Sequence, residues 1–374
     1  MKAIVEQPDL HAALNAVSRA LPHSPVILIV ENILVTAEES SIHLTATDLE
    51  KTIEVQVPAE TESGRWSLTI PGRMLTKIAA TLPTGPVTLT PGTGTNVLQI
   101  AVAGYSARVA GYPSDSFPSL EAASNEKTLA TELTGLSDAI KSVVFATATD
   151  SSRPVLEGVE WTIADGNLTM AAADGYRLAQ ALMSAGTQES WPKIIIPARA
   201  LAEVAHLFPG EVQVEIGTQH ASFRGRTGTG LTAHLTSLLI TGTFPNVAAL
   251  IPTSYTTAVA MSREALLAGV KRAGIFAVDA SDVVHLTPED DGLRIWTAGA
   301  ERGRSTETVE TISGEGTDAI ALNATYLVSA LAVAPASTVQ LEWSAVSEDK
   351  SSGKPLIIRA DREWLALIMP MQTS

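Results

Sequence analysis

Apolar residues follow two different periods along the chain. Most of the sequence alternates apolar and polar positions in short runs, which is typical of half-buried β-strands. Six longer stretches repeat apolar residues every three or four positions, as amphipathic helices do. The predicted helices span 9–20, 71–82, 135–146, 197–208, 262–273 and 323–334. Pro71 lies in the first turn of the second helix and Pro83 ends it, the positions where helices accept proline.

Strands fill the intervals between these helices. In the first third of the chain they are predicted at 3–6, 26–36, 41–47, 51–57, 66–70, 86–90, 96–102 and 105–110. The richest apolar run, 26–30, stops at Glu31 and is predicted as a buried strand. Turn signals such as Pro91-Gly92 and Asp165-Gly166 separate the strands, which favours antiparallel sheets over a doubly wound parallel sheet.

One pattern occurs three times at a spacing of 126 residues. Residues 70–83 recur as 196–209 and, more weakly, as 322–335, and Asp48 and Asp174 keep the same spacing. A repeat of this length has the size of a domain. We therefore predict an α+β fold of three tandem domains, each a duplicated β-α-β-β-β unit. The predicted domains span 1–124, 125–254 and 255–374, with polar connectors near 122–127 and 252–256.

Composition narrows the classes of function. The 374 residues contain no cysteine, which excludes disulfide scaffolds, thiolate nucleophiles and cysteine-ligated metal sites. The first apolar run stops at Glu6, short of the roughly 7–15 residues of a signal-peptide core. No segment reaches the roughly 18–20 apolar residues of a membrane span. We expect a cytoplasmic protein with no membrane partner.

The charge is unevenly distributed along the chain. Twenty-five basic and 40 acidic residues give a net charge of −15, which by itself argues against a polyanionic partner. The six predicted helices nevertheless carry eight basic and four acidic residues, a net +4, which leaves −19 on the remainder. Helices at equivalent places in three copies can line one common surface, and a basic surface attracts a polyanion. Ordinary solvated helix faces are the alternative interpretation.

Patterns typical of catalysis and metal binding are missing from the sequence. The seven histidines are scattered without metal-ligand spacing, and the glycine-rich stretches 92–94 and 225–230 lack the Lys-Ser/Thr of a phosphate-binding loop. Asp48 and Asp174 resemble paired carboxylates, but their equivalence in the repeat favours a structural role at a strand end. We expect no enzyme activity, no cofactor and no metal.

Five motifs together resemble one family, the bacterial DNA polymerase III beta subunits or sliding clamps. In the family's order the chain carries Asp115-Ser-Phe-Pro-Ser-Leu120, Ser152-Arg-Pro-Val-Leu-Glu-Gly158, Ala173-Asp-Gly-Tyr-Arg-Leu178, Phe244-Pro-Asn-Val-Ala-Ala-Leu-Ile-Pro252 and Leu367-Ile-Met-Pro-Met371. The resemblance extends over nearly the whole chain. It implies the DNA-clamp fold, in which antiparallel sheets lie outside and helices line a ring.

The resemblance also implies a function in DNA replication. A head-to-tail homodimer would encircle double-stranded DNA without sequence preference, as a processivity factor that catalyses no reaction. It would tether the replicative DNA polymerase, the clamp loader and other proteins that carry a clamp-binding motif. Two alternatives remain open from the residues alone: an enzyme that uses Asp174 and Arg177, and a structural repeat protein that neither retains DNA nor binds peptides.

A peptide-binding pocket is the first site that the resemblance implies. It is expected between the second and third domains and would take a short peptide with a Gln and bulky apolar residues. The expected lining residues are Leu156, Gly175, Tyr176, Arg177, Leu178, Pro245, Ala249, Leu250, Leu367, Met369, Pro370 and Met371. Methionines supply a soft apolar surface that suits several partners. The alternative is that these residues only seal the core beside a terminal strand.

DNA-binding and subunit-contact sites are also implied. The expected DNA contacts are Arg73, Lys141, Arg199, Lys271 and Arg272. At the seam of the ring, Ile275 and Phe276 are expected to meet Ala107 and Val109 of the next subunit. Three residues depart from the family, which often has His where Tyr176 stands, a basic residue or a polar side chain where Ala249 stands, and a basic residue where Gln372 stands. The rim of the pocket is therefore expected to be less charged.

Overall fold

The fold is described from a computed structural model over residues 1–62, 64–93, 96–118, 128–150, 152–277, 282–299, 303–344 and 354–371. In this part of the chain the helices are α1 Gln7–Ser18, α2 Gly72–Thr81, α3 Leu136–Val144, α4 Ala198–Leu207, α5 Arg263–Ala277 and α6 Ala324–Val333. All six predicted helices are confirmed, with their ends displaced by one to four residues. No helix in the described ranges is both long enough and apolar enough to cross a bilayer.

The strands follow the predicted order of two β-α-β-β-β units in each third of the chain. The first third contains β1 Ala3–Glu6, β2 Asn32–Glu38, β3 Ser41–Thr47, β4 Lys51–Pro58, β5 Glu60–Thr61, β6 Trp66–Pro71, β7 Pro86–Pro91, β8 Val97–Val102, β9 Tyr105–Ala110 and β10 Tyr112–Pro113. The second contains β11 Leu129–Leu133, β12 Gly158–Ala164, β13 Asn167–Ala173, β14 Arg177–Ser184, β15 Trp191–Pro197, β16 Val212–Ile216, β17 His220–Arg226 and β18 Thr232–Leu238. The last contains β19 Thr257–Ser262, β20 Val283–Glu289, β21 Gly292–Gly299, β22 Gly303–Val309, β23 Thr311–Glu315, β24 Ile320–Asn323, β25 Thr338–Trp343, β26 Leu356–Arg359 and β27 Trp364–Ile368.

Residues 1–137 and 199–239 form one compact unit. Its antiparallel sheets have the orders β5-β1-β7-β8-β9 and β10-β6-β2-β3-β4-β18-β17-β16-β11. In the larger sheet β4 of the first copy pairs with β18 of the second. Helix α1 packs against α2, β3 and β4 and buries Leu10, Leu14 and Val17, the apolar stripe that its sequence predicts.

Residues 138–198 and 240–374 form the other compact unit. Its antiparallel sheets have the orders β15-β12-β13-β14-β27-β26-β25-β19-β23 and β22-β21-β20-β24. Here β14 of the second copy pairs with β27 of the third. Helix α5 packs against α6 and against β20, β21 and β22, and it buries Leu266, Val270 and Ala273. Two copies thus share each nine-stranded sheet.

The predicted strand over 26–30 is wrong. A 3-10 turn occupies Leu28–Glu31, and β2 begins only at Asn32. Val26 and Leu28 are 88% and 72% exposed, whereas Val30 is buried. The second copy has the same turn at Pro154–Glu157. Position in the repeat, rather than the apolar run, therefore determines the local conformation.

The domain limits of 1–124, 125–254 and 255–374 remain predictions. The connector near 122–127 lies outside the described residues, and so does Gln372. The connector near 252–256 is irregular chain between the turn Val247–Leu250 and β19, which suits a boundary.

Candidate functional site

A buried apolar cluster lies where β14 pairs with β27. Its members are Leu156, Ala171, Ala173, Leu178, Ile195, Phe244, Val247, Ile357 and Leu367. Met369 packs partly buried against it. Four predicted pocket residues, Leu156, Leu178, Leu367 and Met369, are thus brought together in space although they come from distant parts of the chain.

A tight turn before β14 fixes the edge of this cluster. The carboxylate of Asp174 accepts hydrogen bonds from the backbone N–H of Tyr176 (2.8 Å) and Arg177 (2.9 Å) and from Nε of Arg177 (2.9 Å). Gly175 has φ +96°, a left-handed backbone that glycine adopts without a steric penalty. Asp174 therefore braces a turn, as its place in the repeat predicts, and its acceptor atoms are engaged.

The chain after β27 is held on two sides. The N–H of Met369 donates to the carbonyl of Tyr176, and the N–H of Met371 donates to the carbonyl of Ala321, both at 2.8 Å. The side chains of Met369, Pro370 and Met371 remain partly exposed. The terminal Met-Pro-Met segment thus has a fixed backbone and an accessible apolar surface.

Aromatic rings stack beside this segment. Tyr176 is 62% exposed, and its ring stacks on that of Tyr326 with centroids 6.5 Å apart. The guanidinium of Arg177 lies 4.6 Å from the centroid of Tyr326 and 5.6 Å from that of Phe145. Cations over aromatic faces are attracted to them. Arg177, whose side chain is largely buried and paired with Asp174, therefore helps to position the ring of Tyr326.

Three residues at this rim were not found from the sequence. Tyr326 lies in α6 where the other copies have Met74 and Ala200. This change to an aromatic residue in one copy alone could have indicated a special role for Tyr326. Phe145 follows α3 and gave no such signal. Arg153, which is exposed, donates from Nη2 to the carbonyl of Asp174 at 3.0 Å.

The remaining predicted pocket residues lie on the surface. Pro245, Ala249 and Leu250 are exposed and flank the buried side chains of Phe244 and Val247. Several exposed apolar residues next to a buried apolar cluster are typical of interaction sites.

Three of the five predicted DNA-binding residues form ion pairs within the chain. Arg199 pairs with Glu50, Arg272 pairs with Glu307, and Lys141 lies 3.6 Å from Asp138. The side-chain hydrogen bond to Glu307 raises the pKa of Arg272 above its usual value and lowers the pKa of Glu307. Since Glu50 and Glu307 lie outside the helices, the helical sum of +4 overstates the free positive charge.

The other two predicted DNA-binding residues are less constrained. Arg73 is exposed and donates from Nη2 to the carbonyl of Pro22 at 2.9 Å. Lys271 is exposed and has no ion-pair partner among the residues that the structure describes. These two side chains carry the free positive charge of the set.

The predicted seam residues lie on two separate elements. Ile275 on α5 is 66% exposed and Phe276 is partly buried. Ala107 on β9 is partly exposed, but Val109 is only 3% exposed and its side chain belongs to the core of the five-stranded sheet. Ala107 and Val109 are two residues apart and share one face of β9, and the seam contact expected of them remains a prediction.

Clusters of three or more His, Cys, Asp or Glu side chains that could hold a metal ion do not occur among the described residues.

Comparison with known proteins then decides the family. Models of the DNA polymerase III beta subunit match three successive parts of the chain: its N-terminal domain at 1–121, its central domain at 131–246 and its C-terminal domain at 248–372. The chain belongs to the bacterial beta sliding clamps.

Curated relatives agree with this assignment. The beta sliding clamp of Synechococcus elongatus is 28% identical over 383 residues, which cover 100% of this chain and 99% of the relative. That of Staphylococcus aureus is 26% identical over 386 residues and both chains are fully covered. The protein is accordingly a non-catalytic sliding clamp of DNA replication, and the enzyme alternative is excluded.

Solved structures support the three-domain clamp fold. The clamp of Bacillus subtilis matches over all of both chains with a TM-score of 0.90 and 22% identity. The clamp of Pseudomonas aeruginosa bound to griselimycin matches over all of both chains with a TM-score of 0.89 and 23% identity. The α+β architecture with antiparallel sheets is thereby confirmed.

Proposed function

We propose that two copies of this sliding clamp join head to tail into a closed ring around duplex DNA. Short peptides of the replicative polymerase, the clamp loader and other partners would then bind the surface around Tyr176 and Met369. Since such a ring works on the bacterial chromosome, we place it in the cytoplasm. The observation that carries the proposal is that the five-stranded and the four-stranded sheet each contain strands of one copy only, whereas each nine-stranded sheet joins two copies.

Each nine-stranded sheet combines five strands of one copy with four of another. The five-stranded sheet ends at β9 and the four-stranded sheet ends at β22. By their order within each copy, β22 is equivalent to β4 and β14, and β9, as the last long strand of its copy, is equivalent to β18 and β27. Because β4 pairs with β18 and β14 with β27, the pattern predicts that β22 pairs with β9 of a second chain.

This pairing would remove two open sheet edges. An unpaired edge strand exposes backbone N–H and C=O groups that favour association with another strand. Helix α5 packs against β22, and its exposed Ile275 is therefore suited to the same contact. A contact between different surfaces closes into a ring when the rotation between subunits permits it.

Disulfide cross-linking tests the seam cleanly because the chain has no cysteine. Arg108 on β9 and Thr306 on β22 are exposed. We expect a chain with Arg108→Cys to form a covalent dimer on oxidation with a chain carrying Thr306→Cys, or Arg304→Cys or Thr308→Cys if the register is shifted. Paired strands bring Cα atoms to about 5 Å, within the range of a disulfide.

Two controls make the result specific. A chain with Ser313→Cys should give no dimer with the Arg108→Cys chain, because Ser313 lies on β23, an exposed edge strand of the nine-stranded sheet that contains β27. The Arg108→Cys chain alone should also stay uncross-linked, since a head-to-tail seam does not place two copies of β9 together. Cross-linking of Arg108→Cys with itself, or of none of the three β22 variants, would contradict the proposed ring.

Weak positive charge suits a ring that slides. Duplex DNA carries one negative charge about every 1.7 Å. Internal ion pairs leave Arg73 and Lys271 as the least compensated bases of the predicted set. Such a surface attracts the phosphate backbone without reading bases, and retention would come from topology rather than from tight binding.

The peptide site is supported by the fixed Met-Pro-Met backbone and the exposed aromatic rim. Deletion of residues 369–374 removes the first of these. We expect the truncated clamp to form the cross-linked dimer but to lose stimulation of the polymerase. Full stimulation by the truncated clamp would refute the peptide site and leave the ring unaffected.

A further inference from the structure

One bidentate ion pair ties the end of α5 to the edge strand β22. Nε of Arg272 donates to one carboxylate oxygen of Glu307 at 2.8 Å, and Nη2 donates to the other at 2.5 Å. Two parallel hydrogen bonds between a guanidinium and a carboxylate fix the relative orientation of both groups. The pair therefore fixes where this part of α5 lies along β22.

The helix approaches the sheet closely beside this ion pair. A Cβ atom added to Gly269 would lie 2.7 Å from Cδ1 of Ile295 on β21 and 3.8 Å from Oε2 of Glu307. Carbon atoms in contact are about 3.5–4.0 Å apart, so a side chain here would push α5 away from the sheet. Gly269 and Arg272 are three residues apart and share one face of the helix. Close packing and the ion pair thus act together on that face.

The strand half of this ion pair is particular to the third copy. Val55, Ala181 and Glu307 hold the same place on β4, β14 and β22, since they are spaced by 126 residues and each pairs with a buried residue of the preceding strand. Strand β4 pairs with β18 and β14 pairs with β27, each from another copy, whereas β22 ends its sheet. In the part of the chain that the structure describes, the carboxylate thus stands in the one copy whose strand has no neighbour from another copy.

The helix half of the ion pair is particular to the third copy as well. The buried positions of α1, α3 and α5 match one another when three buried residues are aligned, which are Leu14, Ile140 and Val270. Ala16 and Ser142 then stand where α5 has Arg272. Both members of the pair are therefore charged only in the copy that presents an edge strand.

The ion pair lies one helical turn before the residues expected at the seam. Ile275, three residues after Arg272 on α5, is 66% exposed, and Phe276 follows it. The side chains of Arg272 and Glu307 are themselves 56% and 33% exposed. An exposed ion pair adds little to the stability of a fold, whereas a bidentate one holds two elements in a fixed relation. Its effect is therefore expected on the surface that α5 and β22 present together.

We propose that Arg272 and Glu307 are positioning residues of the subunit seam and that Arg272 is not a DNA contact. The pair holds the last turn of α5 on β22, so that Ile275 and the edge of β22 meet the next subunit as one preformed surface. A surface that is fixed before association loses less conformational freedom when it binds. The inference rests on the proposed function, because the seam is that of the proposed ring.

The dissociation constant of the dimer tests this role. Arg272→Gln and Glu307→Gln each break the pair, and we expect each to raise the constant at least about fivefold in sedimentation velocity with fluorescence detection. Asp138→Asn is the matched control, because it breaks the exposed ion pair with Lys141 on α3 and changes the net charge as Glu307→Gln does. It should change the constant less than about twofold. Urea unfolding verifies that every variant is folded.

Reversal of the two charges separates positioning from a general loss of stability. Arg272→Glu/Glu307→Arg restores an ion pair between the same elements, and we expect its dissociation constant to return to within about twofold of that of the unchanged clamp. A constant that stays as high as in the single variants would overturn the proposal. Single variants that dimerise no more weakly than Asp138→Asn would overturn it too.

Lys271→Gln distinguishes the seam from the DNA surface, since Lys271 directly precedes Arg272 and loses the same charge. At low salt, and at concentrations where all variants are dimers, we expect Lys271→Gln to weaken binding to a short labelled duplex while its dimer stays unchanged within about twofold. Arg272→Gln should show the reverse, and a loss of DNA binding as large as that of Lys271→Gln would overturn the proposal. An unchanged clamp that stays monomeric at every concentration would instead refute the ring on which the inference rests.

Discussion

Removal of the Asp174 carboxylate should weaken both the stability of the clamp and its peptide binding. Asp174→Ala deletes an acceptor of two backbone hydrogen bonds and the ion pair with Arg177. The side chains of Asp174 and Arg177 are both mostly buried. Hydrogen bonds to a charged group contribute about 1.5–3 kcal/mol each when buried, and water compensates part of that at a turn. We expect the free energy of unfolding to fall by about 2–4 kcal/mol.

Peptide affinity should fall as well, because this turn positions both Tyr176 and the backbone partner of Met369. For a fluorescein-labelled peptide that contains one Gln, two Leu and one Phe, we expect a loss of at least about tenfold, which corresponds to about 1.4 kcal/mol. Anisotropy titrations measure it under conditions in which urea unfolding shows the variant to be folded. Asp174→Asn, which keeps one side-chain oxygen as an acceptor but loses the charge, should give an intermediate loss.

Asp48→Ala is a matched control for this experiment. It removes the same hydrogen bonds and the ion pair with Lys51 from the equivalent turn of the first copy. Its stability should fall by a similar amount, while its affinity for the same labelled peptide should change less than about twofold. Equal loss of peptide affinity in Asp48→Ala and Asp174→Ala, or wild-type affinity in Asp174→Ala, would refute the reasoning.

Three further outcomes are expected. Ile275→Asp places a charge at the proposed seam and should shift the clamp from dimer to monomer in sedimentation velocity, whereas an unchanged dimer would argue against that contact. Glu50→Gln frees Arg199 from its ion pair and should tighten DNA binding and steepen its salt dependence by about one unit of log–log slope; the reverse sign would exclude Arg199 from the DNA surface. The hydrogen bond to Glu54 raises the pKa of His43, so His43 stabilises the fold below its unfolded pKa and loses this effect as pH rises. His43→Gln should thus destabilise more at pH about 6 than at about 8 in urea unfolding, and an equal loss at both would contradict that role.

Local pattern and the repeat were sufficient to predict the helices and the strand order. The prolines at 71 and 83 mark the limits of α2 to within two residues because they act on the backbone at their own positions. The strand prediction for 26–30 was wrong because hydrophobicity alone does not distinguish a buried strand from an exposed turn. Its counterpart Pro154–Glu157 carries the information that the single segment lacks.

The resemblance predicted which residues belong to the site, but it did not predict the ion pairs that residues far apart in the chain form with one another. The resemblance identified Leu156, Leu178, Leu367 and Met369 as neighbours, and the apolar cluster contains them. The ion pair between Glu50 and Arg199 joins residues 149 positions apart, and no local pattern indicates it. Long-range pairing of this kind sets the free charge of the predicted DNA-binding residues, which a count over helices misses.

The most direct test of the ring is its retention on DNA of different topology. The clamp is loaded on nicked circular DNA by a clamp loader, the free protein is removed by gel filtration, and half of the sample is linearised with a restriction enzyme. The account predicts that the clamp stays on the circle and is lost from the linear molecule, at a salt concentration where its direct affinity for DNA is weak. Equal retention on circular and linear DNA would contradict topological encirclement.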